Sequence, residues 1–221
     1  MPLDSLSVSQ TAAMFEFVAD QIEQQATVLN EADRVIGDGD HGEAMARGLR
    51  AARERLQTDE FDSIGAVLKL VGMRMMATMG GASGAIFGTW FRSGGKPLEG
   101  VTEFNGDALA MMLEEGAAGV QARGKAQLGD KTMLDALIPA ARAARDAAHE
   151  SLPVAFRAAA NTAREGVEKT RSLVARLGRA RSLGERSIGQ PDPGALSTAM
   201  ILGAMAEYVE QEASISRQNG M

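Results

Sequence analysis

Apolar residues recur at three- and four-residue steps along most of this chain, the spacing that places side chains on one face of an α-helix. The first such stripe is made by Phe15, Val18, Ile22, Ala26 and Leu29. Alternating runs of β-branched residues, which would indicate strands, are scarce. The pattern therefore predicts an all-α fold of about eight amphipathic helices and no strand.

Glycine-rich or charged segments separate the predicted helices, because they interrupt the periodic pattern. Asp130 is a candidate N-cap for the sixth helix, and Pro153 suits the first turn of the seventh. The predicted helices cover, in order, residues 9–30, 43–57, 64–79, 85–91 and 107–121, then the sixth helix after Asp130, and finally residues 154–177 and 195–212.

The segment 33–42 contains three aspartates, Asp33, Asp38 and Asp40, followed by His41. Aspartates at these spacings cannot share one helical face, so most of the segment is predicted to be a loop. Two carboxylates about 4 Å apart repel by about 4 kcal/mol in an effective dielectric near 20, so crowding them calls for a cation. Carboxylate oxygens suit Mg²⁺, Mn²⁺ or Ca²⁺ better than zinc. The alternative is a solvated acidic turn that caps a helix.

Two familiar motifs are excluded for this segment. The glycines at 37, 39 and 42 match the dinucleotide-binding pattern, but that pattern needs a preceding strand, and residues 23–34 are predicted to be helical. The calcium-binding EF-hand loop also fails, since no register places acidic residues, glycine and glutamate at the positions it requires.

Two further segments carry residues suited to an anion. The glycine cluster 80–84 allows close backbone approach to a ligand, and Ser83 is a candidate cap for a helix whose N-terminus favours a phosphate. A plain helix–helix connection is the alternative. Residues 178–194 lack helical periodicity and include three arginines suited to phosphate oxygens, unless this is simply a solvated surface loop. Divalent ions would offset the negative charges of the acidic loop and of a nucleotide. Phosphoryl transfer requires this balance of charge.

Length, net charge and cysteine content indicate which classes of protein this chain can belong to. The length of 221 residues suits one domain, 1–221, and the net charge of −6 argues against a general nucleic-acid binder. The sequence has no cysteine, which fits a reducing compartment. No signal peptide and no long apolar run are seen, so we expect a cytoplasmic protein with neither nucleic acid nor membrane as partner.

Seven motifs, in family order, make the chain resemble the L subunit of dihydroxyacetone kinase and the equivalent C-terminal domain of the one-chain ATP-dependent enzyme. The resemblance covers about residues 9–212 and implies a barrel of eight antiparallel helices with a nucleotide and metal site at the loops of one end. The motifs are Asp33-Arg34-x-x-Gly37-Asp38-x-Asp40-His41-Gly42, Gly80-Gly81-Ala82-Ser83-Gly84, Arg123-Gly124-Lys125-Ala126, Gly129-Asp130-Lys131-Thr132-Met133, Gly178-Arg179-Ala180, Leu183-Gly184-Glu185-Arg186-Ser187-Ile188-Gly189 and Asp192-Pro193-Gly194-Ala195.

The resemblance also implies roles for individual residues. Asp33, Asp38 and Asp40 would hold two Mg²⁺ ions against the phosphates of ADP or ATP, and Arg179 and His41 would serve catalysis. The residues implied to line the nucleotide site are His41, Gly42, Ala82, Ser83, Gly124, Met133, Arg179, Asp192, Pro193 and Gly194.

Such a subunit supplies half of an active site. A separate K subunit would hold the ketose, and this chain alone would be inactive. In one branch of the family a phosphohistidine M subunit, drawing on phosphoenolpyruvate, would rephosphorylate bound ADP; in the other branch ATP would exchange as a substrate. A regulatory module that binds a transcription regulator, and a helical scaffold with a Ca²⁺-stabilised loop, are the alternatives from other classes.

Three departures from the family pattern lie near the nucleotide or the rim of its site. Ala44 stands where many relatives have asparagine, Arg181-Ser182 replaces a common Ser-Tyr, and Gln190-Pro191 replaces a common His-Gln. These departures leave the three aspartates intact. They leave open which branch of the family the chain belongs to and which sugar is phosphorylated, and a related triose or tetrulose is one alternative.

Overall fold

In a computed structural model, which describes residues 3–219, almost every element is a helix. Two short strands, β1 (Ser5–Ser7) and β2 (Glu103–Asn105), form one antiparallel pair, so the prediction of no strand is wrong in this detail. The α-helices of the described part are α1 (Val8–Gln24), α2 (Ala26–Ile36), α3 (His41–Leu56), α4 (Ile64–Thr78), α5 (Gly81–Gly95), α6 (Gly106–Gly124), α7 (Leu134–Asp146), α8 (Leu152–Thr170) and α9 (Pro193–Asn219).

Eight of these helices form a closed ring, in which each helix packs on the next. The ring runs α1, α3, α4, α5, α6, α7, α8 and α9, and α9 returns to pack on α1. Neighbours are antiparallel: Arg50 in α3 pairs with Glu23 at the end of α1, whereas Gln57, at the end of α3, bonds to Glu16. The remaining helix, α2, lies on α3 and α9. The predicted all-α barrel of eight antiparallel helices is confirmed.

The apolar stripes of the helices meet in one continuous core. Large rings cluster on α5, where Trp90 stacks on Phe91 at 4.6 Å and Phe91 meets Phe15 of α1 edge-on at 5.4 Å. Alanine is the commonest buried type elsewhere, which lets neighbouring helices approach closely. Among the described residues, no helix combines the length and apolarity needed to cross a membrane.

The first predicted helix, 9–30, is wrong in its extent. The chain leaves helical geometry at Gln25, which has φ −103° and ψ 9°, and α2 then starts in a new direction. Asp33 lies in the last turn of α2, which agrees with the predicted helicity of residues 23–34. Leu29 and Ile36 are buried on α2, and this apolar face keeps the acidic residue on a helix. The acidic loop is therefore only residues 37–40.

Two predicted caps are also wrong. Ser83 lies inside the first turn of α5, whose N-cap is Gly80 with φ +76°. Asp130 does not cap α7, because that helix starts at Leu134 and the Asp130 carboxylate accepts the backbone N–H of Gln127 at 2.8 Å.

Two predictions in the second half of the chain differ from the structure. Helix α8 ends at Thr170, earlier than the predicted 177, and residues Arg179–Ser187 form a 3₁₀-helix broken at Gly184. Short 3₁₀ turns have no 3.6-residue apolar period, so the sequence pattern could not distinguish this segment from a loop.

Candidate functional site

The antiparallel ring brings the N-termini of α3, α5, α7 and α9 to one end of the barrel. There they border a pocket of about 460 Å³, to which they contribute His41, Gly81, Met133 and Pro193. The first N–H groups of a helix have no partner within the helix, and its dipole is positive at that end. Four such ends around one pocket make it a site suited to an anion.

Three carboxylates stand on one side of this pocket. Asp33 comes from the last turn of α2, and Asp38 and Asp40 come from the loop that follows. An oxygen of each lies within 4.8 Å of an oxygen of the others. Asp33 Oδ2 also accepts the backbone N–H groups of Gly39 at 2.8 Å and Asp40 at 3.2 Å. The Asp33 carboxylate therefore folds the loop that carries the other two.

Arg179 connects the opposite side of the pocket to this acidic cluster. It stands at the start of the 3₁₀ segment and forms an ion pair with Asp38. Its side chain is 63% exposed, so it is free to change partner. Three carboxylates and one guanidinium leave two net negative charges, and every donor is a hard oxygen. This donor set fits a divalent cation such as Mg²⁺.

His41, by contrast, is a buried side chain at the first position of α3. Its Nε2 lies 3.0 Å from Ser197 Oγ of α9. Burial lowers the pKa of His41, and the Asp33 carboxylate raises it by a smaller amount. The ring therefore stays neutral at physiological pH and ties α3 to α9 beside the acidic loop.

The sequence-predicted site residues come together in this pocket with one exception. Gly42 faces away from it: an added Cβ would lie 1.9 Å from the carbonyl oxygen of Ala26 in α2. Its N–H donates to Asn30 Oδ1 at 2.8 Å, so Gly42 serves the contact between α2 and α3. The predicted residues that line the pocket are Asp33, Asp38, Asp40, His41, Ala82, Ser83, Gly124, Met133, Arg179, Asp192, Pro193 and Gly194.

Sequence reasoning did not identify the apolar wall of the pocket. Its residues stand near helix ends with the same spacing as core residues, so the sequence carries no signal that separates them from the core. Lys131 was missed as well, because a lysine in a glycine-rich turn is normally exposed. The additional lining residues include Ile36, Met79, Ile86, Phe87, Val120, Lys131, Thr132 and Leu177.

Asp192 stands at the entry to α9 and caps that helix. Its Oδ2 accepts the backbone N–H of Ala195 at 2.7 Å, and its own N–H donates to Thr170 Oγ1 at 2.9 Å. Burial raises the pKa of Asp192 to about 7, against the helix N–H groups, which lower it. The folded state therefore holds a proton on this carboxyl at a pH where the unfolded chain has lost it.

This shift predicts a pH-dependent stability. Between about pH 4 and 7 the folded state binds more protons at Asp192, so the free energy of unfolding falls as pH rises. We expect wild type to lose about 1–3 kcal/mol relative to Asp192→Asn across this window. Urea unfolding of both proteins at pH 5, 6, 7 and 8 measures the difference. Parallel curves for the two proteins would contradict the assignment.

Comparisons with known proteins agree with this geometry. The family model described as "DAK2 domain" matches residues 35–207. The chain is 38% identical over 204 residues to the ADP-binding subunit of the PEP-dependent dihydroxyacetone kinase of Escherichia coli K12, covering 91% of this chain and 97% of that subunit. It is 39% identical over 193 residues to L-erythrulose 1-kinase of Mycolicibacterium smegmatis, covering 84% of this chain and 34% of that enzyme.

A solved structure extends the likeness to three dimensions. The dihydroxyacetone kinase of C. freundii, in complex with AMP-PNP and Mg²⁺, matches with a TM-score of 0.72 and 28% identity, over 93% of this chain and 35% of that one. The resemblance drawn from the seven sequence motifs is thus confirmed. The chain belongs to the DAK2 domain family, together with the ADP-binding subunits of dihydroxyacetone kinase.

Proposed function

We propose that this chain is the nucleotide-binding subunit of a dihydroxyacetone kinase and that its pocket holds ADP or ATP with Mg²⁺. One observation carries the proposal: three clustered carboxylates and four helix N-termini border the same pocket. Carboxylates alone would repel a nucleotide, and helix ends alone would not hold a metal. Their combination suits an anion and cations bound together, which is the electrostatic requirement of phosphoryl transfer.

Within this proposal, different residues bind different parts of the nucleotide. Asp33, Asp38 and Asp40 would hold two Mg²⁺ ions, which would offset the negative charge of the phosphates. The first turn of α5, with Ala82 and Ser83, presents N–H groups to phosphate. The apolar wall suits the purine ring, since base recognition sites are lined mainly by apolar side chains. Its members include Met133, Phe87 and Leu177.

Of the two residues expected to serve catalysis, we propose that Arg179 acts in the reaction itself and that His41 has a structural role. Arg179 is exposed and holds Asp38, so it can turn to the transferring phosphoryl group and offset charge there. His41 is buried, neutral and bonded to Ser197. That environment favours a role in positioning α3 and α9 over a role in proton transfer.

The acceptor is proposed to come from a partner, a K subunit that holds the ketose. Three segments at the nucleotide end each present a large apolar side chain to solvent: Val35 is 54% exposed, Leu128 50% and Ile188 48%. Exposed apolar side chains on several loops are typical of protein interfaces. A partner docked on this rim would exclude water from the pocket and bring its substrate to the phosphates.

The phosphate donor is proposed to be a phosphohistidine M subunit that rephosphorylates ADP in place. The support is the likeness to the ADP-binding subunit of the PEP-dependent enzyme of Escherichia coli, which this chain matches over nearly its whole length. The second candidate is an ATP-exchanging kinase for a tetrulose. It is favoured by the similar identity to L-erythrulose 1-kinase, although this chain spans only about a third of that enzyme.

The nucleotide content of the purified, untreated protein tests these proposals. Denatured protein is removed and the supernatant is analysed by anion exchange, with Asp40→Asn purified in parallel as the control. We expect near-stoichiometric ADP in wild type and much less in the variant. An empty protein that binds ATP and ADP reversibly with Mg²⁺ favours the second candidate. A ligand at 100 times its Kd stabilises the folded protein by about 2.7 kcal/mol. An empty protein whose melting temperature responds to neither nucleotide with Mg²⁺ would therefore overturn both candidates.

A further inference from the structure

Lys131 is a buried lysine, with only 1% of its surface exposed. Lysine is rarely buried unless its ammonium group finds partners. Its backbone has φ +60°, a left-handed conformation that most residues avoid. Both the burial of Lys131 and its left-handed backbone cost free energy of folding. Favourable contacts of the ammonium group must offset that cost.

The ammonium group makes two short hydrogen bonds to backbone carbonyls. Nζ donates to the oxygen of Thr170 at 2.5 Å and to the oxygen of Gln190 at 2.6 Å. Thr170 is the last residue of α8, where a cation also complements the helix dipole. Gln190 belongs to the segment that enters α9. Lys131 thus joins three parts of the chain that are far apart in sequence.

Two of the joined segments are walls of the pocket. Lys131 is followed directly by Thr132 and Met133, which line it, and Gln190 is closely followed by Asp192 to Gly194, which line it too. The two walls touch: an added Cβ on Gly194 would lie 3.4 Å from Met133 Cβ. Lys131 itself also lines the pocket, so its contacts lie close to the place where these walls meet.

Each wall is also braced by its own carboxylate. Asp135 is 3% exposed and accepts the N–H groups of Gly129 at 2.6 Å and Thr132 at 2.8 Å. Asp192 caps α9 on the other side. Burial lowers the pKa of the Lys131 ammonium group, and Asp192 and Asp135 raise it by less. The ammonium group thus links two turns, each of which is held by hydrogen bonds to its own carboxyl group.

From these contacts we propose that Lys131 is a positioning residue, which holds the α7 and α9 walls of the pocket together and sets how long a nucleotide stays bound. This inference rests on the proposed function. The ammonium group is bonded to two backbone carbonyls, so we assign Lys131 to positioning the walls and not to binding the phosphates. Loss of Lys131 should therefore speed the release of bound nucleotide.

The test is the dissociation rate constant of mant-ADP, a fluorescent ADP, from the full chain in Mg²⁺. Lys131→Met keeps the length and apolar stem but removes the donors and the charge. We expect dissociation to be at least tenfold faster, which corresponds to about 1.4 kcal/mol. With a K subunit present, the KM for nucleotide should rise by a larger factor than kcat falls. The melting temperature of nucleotide-bound Lys131→Met must lie well above the assay temperature, so that release through unfolding does not contribute to this rate constant.

Lys169→Met is the matched control, because Lys169 is exposed in the last turn of α8, next to Thr170. It should leave the rate constant unchanged. Equal rates for wild type and Lys131→Met, or equal acceleration by both variants, would overturn the inference. If Lys131→Met does not fold, Lys131→Gln, which keeps one donating group, is measured against the same criteria. Failure of wild type to bind mant-ADP at all would instead overturn the proposed function.

Discussion

Asp40→Asn is expected to reduce the activity of the enzyme reconstituted with a K subunit by about 100-fold or more, because metal ions stabilise the transferring group by several kcal/mol. Asp40 is exposed and its side chain caps no backbone N–H, although it precedes α3. Asparagine keeps the shape of the side chain and removes only the charge. The melting temperature of the protein without nucleotide should therefore be almost unchanged. Calorimetric titration with ADP and Mg²⁺ measures the accompanying loss of affinity.

Glu43→Gln is the control for this change. Glu43 is an exposed carboxylate in the first turn of the same helix, and it does not line the pocket. Glu43→Gln changes the net charge by the same amount as Asp40→Asn, at a position three residues away. Full activity of Asp40→Asn, or an equal loss in Glu43→Gln, would show that the carboxylate cluster holds no catalytic metal.

Gly42→Ala is expected to damage the protein in a different way. The new Cβ would lie 1.9 Å from the Ala26 carbonyl oxygen and 2.8 Å from Asn30 Oδ1, so α2 must move. Overpacking of this kind costs about 1–3 kcal/mol. Because α2 also carries Asp33, we expect both a lower melting temperature and weaker binding of ADP with Mg²⁺. Thermal unfolding with and without the ligand measures both effects.

Gly203→Ala provides the comparison within α9. An added Cβ at Gly203 meets no heavy atom within 4 Å, and alanine favours a helix over glycine by about 1 kcal/mol. This variant should be slightly more stable and should bind nucleotide normally. If Gly42→Ala behaved like Gly203→Ala, the close approach of α2 and α3 would not be what holds Asp33 in place.

The sequence by itself determined the helical class and the acidic cluster. Both are local properties. Apolar spacing follows the 3.6-residue turn of the helix, and three aspartates within eight positions repel each other because they are close in sequence. The family motifs added the barrel and the polar part of the pocket. Asp33, Asp38 and Asp40 were thus identified together, and the structure places Asp33 at the end of α2.

The tertiary structure decided which side chains face the pocket. Phe87 and Leu177 have ordinary helical or loop surroundings in sequence, and only the closed ring places them on the wall. Gly42 belongs to a pocket motif, yet the contact between α2 and α3 turns it away from the pocket. Lys131 reads as a solvated turn residue, but carbonyls 39 and 59 positions away bind its ammonium group. Such contacts depend on how distant helix ends meet, and local periodicity carries no information about that.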